Sequence, residues 1–339
     1  MPSNFKCLSF IKRRRYSSSP LAIVVLLCFL ILCILLNLQI RLVSFEQDYA
    51  QATHEGKQET NTEITYVHEP YSVCNGLVQH QPHSLLILVK SDIANIAQRL
   101  AIRATWGNIN IPEIRVIFTL GTSVDVQGFI IKEAKLYDDI LQGDFPDTYA
   151  NNIYKTVMTY QWIVDKCVNT SFYFFVDDDF FVNVNLIHQY LKEYSSQVSP
   201  YLYTGKLITH NRPVRERKSK WFISAEDYPY AYYPPYLAGG SIIISSNVAK
   251  LFRETFPYVR YIFIDDSYLG IVANACHLVP SNNDRISIDY SAVEPERLTF
   301  MFSSHGYGNH VHLRRVWDTW LKPNKPKLWY RQCSLDYTR

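Results

Sequence analysis

An α/β fold with a mainly parallel central sheet is what this sequence predicts, and three observations predict it. Short, uninterrupted apolar runs recur at 84–90, 116–120 and 172–176, as expected of strands covered on both faces. Segments with helical character separate them, and such alternation builds a parallel sheet between helices. A chain of 339 residues with a hydrophobic share of 47% can also fill one large core. The formal charge of +3 is small for this length, which argues against a nucleic-acid surface. Aromatic residues reach 14%, with 25 tyrosines; rings stack on sugar faces, though a Tyr-rich core would give the same composition.

The elements follow in chain order. Residues 1–15 form a basic tail carrying Lys6, Lys12, Arg13, Arg14 and Arg15. Residues 16–40 are expected to be a transmembrane signal anchor. They hold an unbroken apolar run at 21–36, and no charge lies between Arg15 and Arg41; about 20 helical residues cross a bilayer core. The basic tail keeps the N-terminus cytosolic and sends the remainder into the lumen. A cleaved signal peptide would have a shorter apolar core and a small-residue cleavage site, and neither is present. Residues 41–72 are polar and poor in large apolar side chains, which predicts a stem. The catalytic domain is expected over 73–339. Strand 84–90 leads to a helix at 92–106, strand 116–120, a helix running into a short strand over 133–140, helix 154–164 and strand 172–176. Beyond Asp179 the pattern loosens, with Pro- and Tyr-rich loops at 228–236, then a strand at 241–245 and a helix from 247.

Of the seven cysteines, Cys74, Cys167, Cys276 and Cys333 are lumenal under this topology, an even set in an oxidising compartment. Four cysteines allow three pairings; Cys74–Cys167 and Cys276–Cys333 are the expected ones. Asn169 heads the N-x-S/T triplet Asn169-Thr170-Ser171 and is the candidate glycosylation site.

The chemistry concentrates after the strand at 172–176. Asp177, Asp178 and Asp179 are adjacent carboxylates that repel one another without compensation. A divalent cation, Mn²⁺ or Mg²⁺, supplies it, with a nucleotide diphosphate completing the coordination. On extended backbone Asp177 and Asp179 point the same way. A solvated acidic turn is the alternative, but Phe-Phe-Val on either side is not a surface loop. The D-x-D of aspartyl-phosphate phosphatases is a rival, set on a strand that comes early in the chain rather than midway.

Around this triplet a family resemblance gathers. Arg99-Leu-Ala-Ile102-Arg103-Ala-Thr105-Trp106, Phe118-Thr-Leu120-Gly121, Asp144-Phe145-Pro-Asp147-Thr-Tyr149-Ala-Asn151 and Phe175-Val-Asp177-Asp178-Asp179 occur in that order. Lys220-Trp221, Glu226-Asp-Tyr228-Pro229, Tyr233-Pro234-Pro235-Tyr236 and Asp265-Asp266-Ser-Tyr268-Leu-Gly270 follow. Together they resemble the β1,3-glycosyltransferases, the galactosyltransferase and N-acetylglucosaminyltransferase group, with a length and stem similar to its Brainiac-type members. Ser267, Ile153 and Ser241 depart from the usual pattern, which bears on donor and acceptor preference.

The resemblance implies a GT-A fold, Mn²⁺, a UDP-galactose or UDP-N-acetylglucosamine donor, and a β1,3 linkage made with inversion on a glycolipid or glycoprotein acceptor in the Golgi. Single displacement needs a base away from the metal. Asp266 is expected in that role with Asp265 as the second candidate, and helix capping is the alternative for the pair. Asp177, Asp179 and His305 are the expected metal ligands. Arg99 and Arg103, four residues apart on one helix face, are candidates with Asp177 and Asp178 for the nucleotide; an ion pair with nearby carboxylates is their alternative. Trp221, Glu226, Tyr233 and Tyr236 are the acceptor candidates. Arg212 to Lys220 carries five basic residues, as a solvated loop or a rim for acceptor or diphosphate. Rival functions are an inactive lectin-like protein on the same fold and a metal-dependent nucleotide-sugar phosphohydrolase. No nucleic-acid partner is expected, and a homodimer is left open.

Overall fold

The computed structural model describes residues 24–25, 27–36, 64–75, 83–194, 200–289 and 294–321. The chain forms two units, Met1–Gln47 and Asp48–Arg339. In the first, residues 24–25 and 27–36 are helical. The remainder of the expected anchor at 16–40 lies outside the described residues, among which no helix is long and apolar enough to cross a membrane.

In the second unit, among the described residues, an eight-stranded sheet has the order β1-β4-β3-β2-β5-β8-β7-β9. Its strands are β1 (Tyr66–His68), β2 (Leu85–Lys90), β3 (Ile114–Thr122), β4 (Ile140–Pro146), β5 (Phe172–Asp177), β7 (Tyr203–Ile208), β8 (Tyr236–Ser245) and β9 (Ser281–Asn282). The central β4-β3-β2-β5 pairs are parallel, while β1 joins β4, and β8 joins both β5 and β7, antiparallel. A second sheet, β10-β11-β6, combines Ile286–Ser287, Ser303–His305 and Phe180–Val182.

The uninterrupted apolar runs have a direct cause. On β2, Leu86 and Leu88 join one core and Leu85, Ile87 and Val89 the other; alternate side chains of a strand point to opposite faces. The first core packs against α4 (Asn152–Lys166), α6 (Ser246–Thr255) and α7 (Asp265–Ala275). The second packs against α2 (Ile96–Arg103), α5 (Val184–Tyr194) and α9 (His310–Leu321). The remaining helices are α1 (Tyr71–Asn75), α3 (Gln127–Tyr137) and α8 (Pro295–Leu298).

Three differences from the sequence expectation stand out. The folded unit includes residues assigned to the stem, since Ile64 is buried and β1 pairs with β4; three residues of strand are too few for a readable period. Helix α5 and strand β7 occupy the stretch after Asp179, to which the sequence pattern assigned no element. Strand β8 begins at Tyr236 rather than 241: Tyr236 and Leu237 pair with β7, and the strand runs on through Ala238, Gly239 and Gly240, which carry no strand-like apolar signature. The Cys74 and Cys167 sulfurs are bonded, tying α1 to the end of α4. Cys276 carries no disulfide among the described residues, and its expected partner Cys333 lies outside them.

Candidate active site

Ligand sites in parallel sheets form beyond the carboxyl ends of strands, and the functional side chains gather there. Lys90 ends β2 beside Asp177, which ends β5, as register partners. Asp265 and Asp266 open α7, where the positive end of the helix favours carboxylates. A cleft of about 670 Å³ unites Lys90, Asp177, Asp179, Asp265, Asp266 and His305 with Tyr149, Arg212, Lys220, Trp221, Tyr233 and Tyr236.

The three consecutive aspartates have different surroundings. Asp177 and Asp179 line the cleft, while Asp178 is buried on the other side, as strand alternation requires. Asp178 accepts hydrogen bonds from Ser91 Oγ at 2.6 Å and Asn95 Nδ2 at 3.1 Å, and its carbonyl accepts from Gln98 at 2.7 Å. These contacts tie the strand end to α2 and the turn before it, and they place Asp178 outside the lining of the cleft, a correction to its expected place at the nucleotide. Asp177 is pushed up to about 7 by burial, against the opposing pull of Lys90 and helped by Asp179 and Asp265. Its Oδ1 and that of Asp179 are buried without a hydrogen-bond partner, although Lys90 Nζ stands 3.4 Å from the former. His305 Nε2 lies 2.9 Å from Asp179 Oδ2, because β11 pairs with β6 and sets His305 opposite Phe180. Two unsatisfied oxygens plus an imidazole suit a hard divalent cation. Among the described residues, however, no three such side chains already converge on one point, so phosphate oxygens would have to complete the coordination.

The second carboxylate pair is also divided. Lys90 Nζ donates to Asp265 Oδ2 at 2.7 Å, and Thr156 Oγ1 donates to the same oxygen at 2.8 Å. Burial alone would raise Asp265, but these partners outweigh it and hold the carboxyl below its ordinary value. Among the described residues Asp266 has no cation within ion-pair distance, Lys90 acting on it only from farther off. It accepts from Ser267 N at 2.6 Å and, weakly, from Gly239 N at 3.4 Å. Burial and then the Asp265 charge push it up to about 6. Only glycine fits the strand passing between the two carboxylate groups. A Cβ on Gly239 would stand 3.0 Å from Asp266 Cβ, and one on Gly240 would stand 2.6 Å from the Phe180 ring.

Several expected residues lie elsewhere. Arg99 is fully buried and bidentate to Glu133 at 2.9 and 2.8 Å. Arg103 bridges Glu133 and Asp139, with Phe118 and Tyr137 rings beside its guanidinium. Neither lines the cleft, so the ion-pair alternative replaces the nucleotide assignment. Their partner Glu133 sits on α3, thirty-odd positions away and invisible to local spacing. Glu226 is exposed, lies outside the cleft lining, and its carbonyl accepts from Arg260. Trp221, Tyr233 and Tyr236 do line the cleft; the Tyr233 hydroxyl is buried without a partner. Asn169 is exposed in the turn before β5. Sequence reading missed Lys90 and Tyr149. A lysine closing the apolar run Leu-Leu-Ile-Leu-Val was the available signal for the first.

With this geometry in place, the comparisons assign the class. The galactosyltransferase family model matches residues 97–284, more than half of the chain. The chain is 32% identical over 242 residues to "Beta-1,3-galactosyltransferase brn" of Drosophila melanogaster, covering 70% of this chain and 74% of that protein. It is 32% identical over 248 residues to "Lactosylceramide 1,3-N-acetyl-beta-D-glucosaminyltransferase A" of Danio rerio, covering 69% and 65%. With "Beta-1,3-galactosyltransferase 5" of Mus musculus it shares 32% over 198 residues, 57% of this chain and 64% of that one. A solved galactosyltransferase, LgtC with donor and acceptor sugar analogs, superimposes over 72% of this chain at 10% identity and a TM-score of 0.37, too loosely to carry an argument. The chain belongs to the galactosyltransferase family, in its β1,3-glycosyltransferase group. It is a glycosyltransferase.

Proposed function

We propose that this protein is an inverting, metal-dependent transferase of GT-A type that builds a β1,3 linkage from a UDP-sugar, galactose or N-acetylglucosamine, onto a glycolipid or glycoprotein glycan. The carrying observation is the contrast between Asp265, whose charge Lys90 offsets and to which Thr156 donates, and Asp266, which faces the same cleft with no ion-pair partner among the described residues. In this reading Asp266 removes the proton from the acceptor hydroxyl as that oxygen attacks C1 of the donor sugar. The bond from C1 to the diphosphate oxygen breaks on the opposite face, UDP departs with the electron pair, and the α donor gives a β product. A carboxylate whose ordinary acidity has been weakened to about 6 is a competent base near neutral pH.

Asp177, Asp179 and His305 would hold the divalent ion, which would offset negative charge on the departing diphosphate. Trp221, Tyr233 and Tyr236 offer rings and a hydroxyl to the acceptor. The relatives' names support both donors, and the galactosyltransferase motifs lean toward galactose. The β1,3 regiochemistry follows from the family. The basic N-terminal tail and apolar run support a type II Golgi membrane protein with a lumenal catalytic unit and a glycan on Asn169. NMR linkage analysis of products made from each donor tests the assignment: a β1,3 product is expected, an α product overturns single displacement, and a β1,4 product overturns the regiochemistry.

A further inference from the structure

The search for the donor's phosphate contacts leads to an unexpected part of the chain. Arg99 and Arg103 are consumed by Glu133 and Asp139. The cationic side chains that do line the cleft are Lys90, Arg212 and Lys220, with His305 as the titratable fourth. Lys90 is committed to Asp265 and Asp177. Arg212 and Lys220 are different: among the described residues neither has a carboxylate within ion-pair distance.

Each is seated on aromatic rings. The Arg212 guanidinium lies 4.8 Å from the Tyr232 ring centroid and donates to its hydroxyl. Lys220 Nζ lies 4.7 Å from the Trp221 ring and 5.6 Å from that of Tyr149. A ring face holds a cation in position without neutralising it, so both charges remain available to an anion entering the cleft.

We infer that Arg212 and Lys220, which line the same cleft as the aspartates, grip the diphosphate of the nucleotide-sugar donor. The inference rests on the proposed function, which supplies the donor. Charge balance favours the donor over the acceptor. A divalent ion would offset Asp177 and Asp179, and Lys90 offsets Asp265. With the ion shared between those aspartates and the diphosphate, the phosphoryl charge left over meets these two cations among the cleft side chains. A neutral acceptor sugar gives them nothing comparable. Both belong to the segment between β7 and β8 that also carries Trp221 and Tyr233 and leads into Tyr236, so donor binding would fix the acceptor rings in place.

The test is equilibrium binding of UDP and of uridine to the full chain with Mn²⁺ present, comparing R212Q, K220Q and K220R. Each glutamine variant should weaken UDP binding by about tenfold and flatten its salt dependence, with uridine binding unchanged and the acceptor KM restored once the donor is saturating. K220R should bind UDP nearly as the unsubstituted chain does. Unchanged UDP affinity in both glutamine variants would overturn the inference, and so would a rise confined to the acceptor KM. If the unsubstituted chain itself fails to bind UDP, the donor reading falls, and this inference with it.

Discussion

Asp266 and Asp265 are neighbours in sequence, yet one is neutralised and the other is not, and the difference is a matter of single contacts. Lys90 reaches Asp265 at 2.7 Å and leaves Asp266 to two backbone N–H groups. Asp266→Asn should therefore retain UDP binding while turnover falls by about 10²- to 10⁴-fold, the usual contribution of a general base. A normal rate in Asp266→Asn together with a dead Asp265→Asn would reverse the roles. The pH dependence has a definite sign. The base must be unprotonated, and its carboxyl is raised to about 6, so kcat/KM should fall as pH drops through about 6 and level off above it. A profile flat down to pH 4.5 would remove Asp266 from the proton transfer. At the aspartates after β5, chelation by EDTA should abolish transfer and Mn²⁺ restore it; full activity of Asp179→Ala in EDTA would refute the metal ligation.

At the scale of elements, α2 and α3 are joined by charge as well as by packing. Arg99, fully buried, makes a paired contact with Glu133, and Arg103 extends the network to Asp139 at the start of β4. Removing one partner strands the other away from water. Arg99→Met should cost about 3–5 kcal/mol, measurable by urea denaturation, and should lower activity only in proportion to the folded fraction. A variant that is fully stable but no longer binds UDP would restore the nucleotide role to Arg99. The α1–α4 link behaves differently. Cys74→Ser opens a covalent tie across a sequence separation of 93 and should cost about 2–5 kcal/mol in the same assay.

For the whole molecule, the proposed topology places the catalytic unit in the secretory lumen. Protease added to intact microsomes should then spare it, and detergent should expose it. An endoglycosidase should shift the mass of the unsubstituted chain and leave Asn169→Gln unaffected, since Asn169 is the exposed residue of the triplet. Digestion of the catalytic unit in intact vesicles would invert the orientation drawn from Lys12 to Arg15.

The sequence by itself determined much of this. Continuous apolar runs at β2, β3 and β5 specify strands buried on both faces, because both cores need their side chains. The aspartate triplet after β5 and the pair opening α7 were legible because clustered carboxylates beside apolar strands are costly without a purpose. Tertiary structure alone decided which partners each carboxylate meets. Lys90 and Asp265 are 175 positions apart, His305 and Asp179 are 126 apart, and Arg99 and Glu133 are 34 apart. A charge is neutralised by whatever stands within a few ångströms of it, and that neighbour is chosen by sheet order and strand pairing. The interactions within a segment revealed the elements; the Coulomb and hydrogen-bond contacts between segments fixed Asp266 as the uncompensated carboxylate and took Arg99, Arg103 and Glu226 out of the cleft.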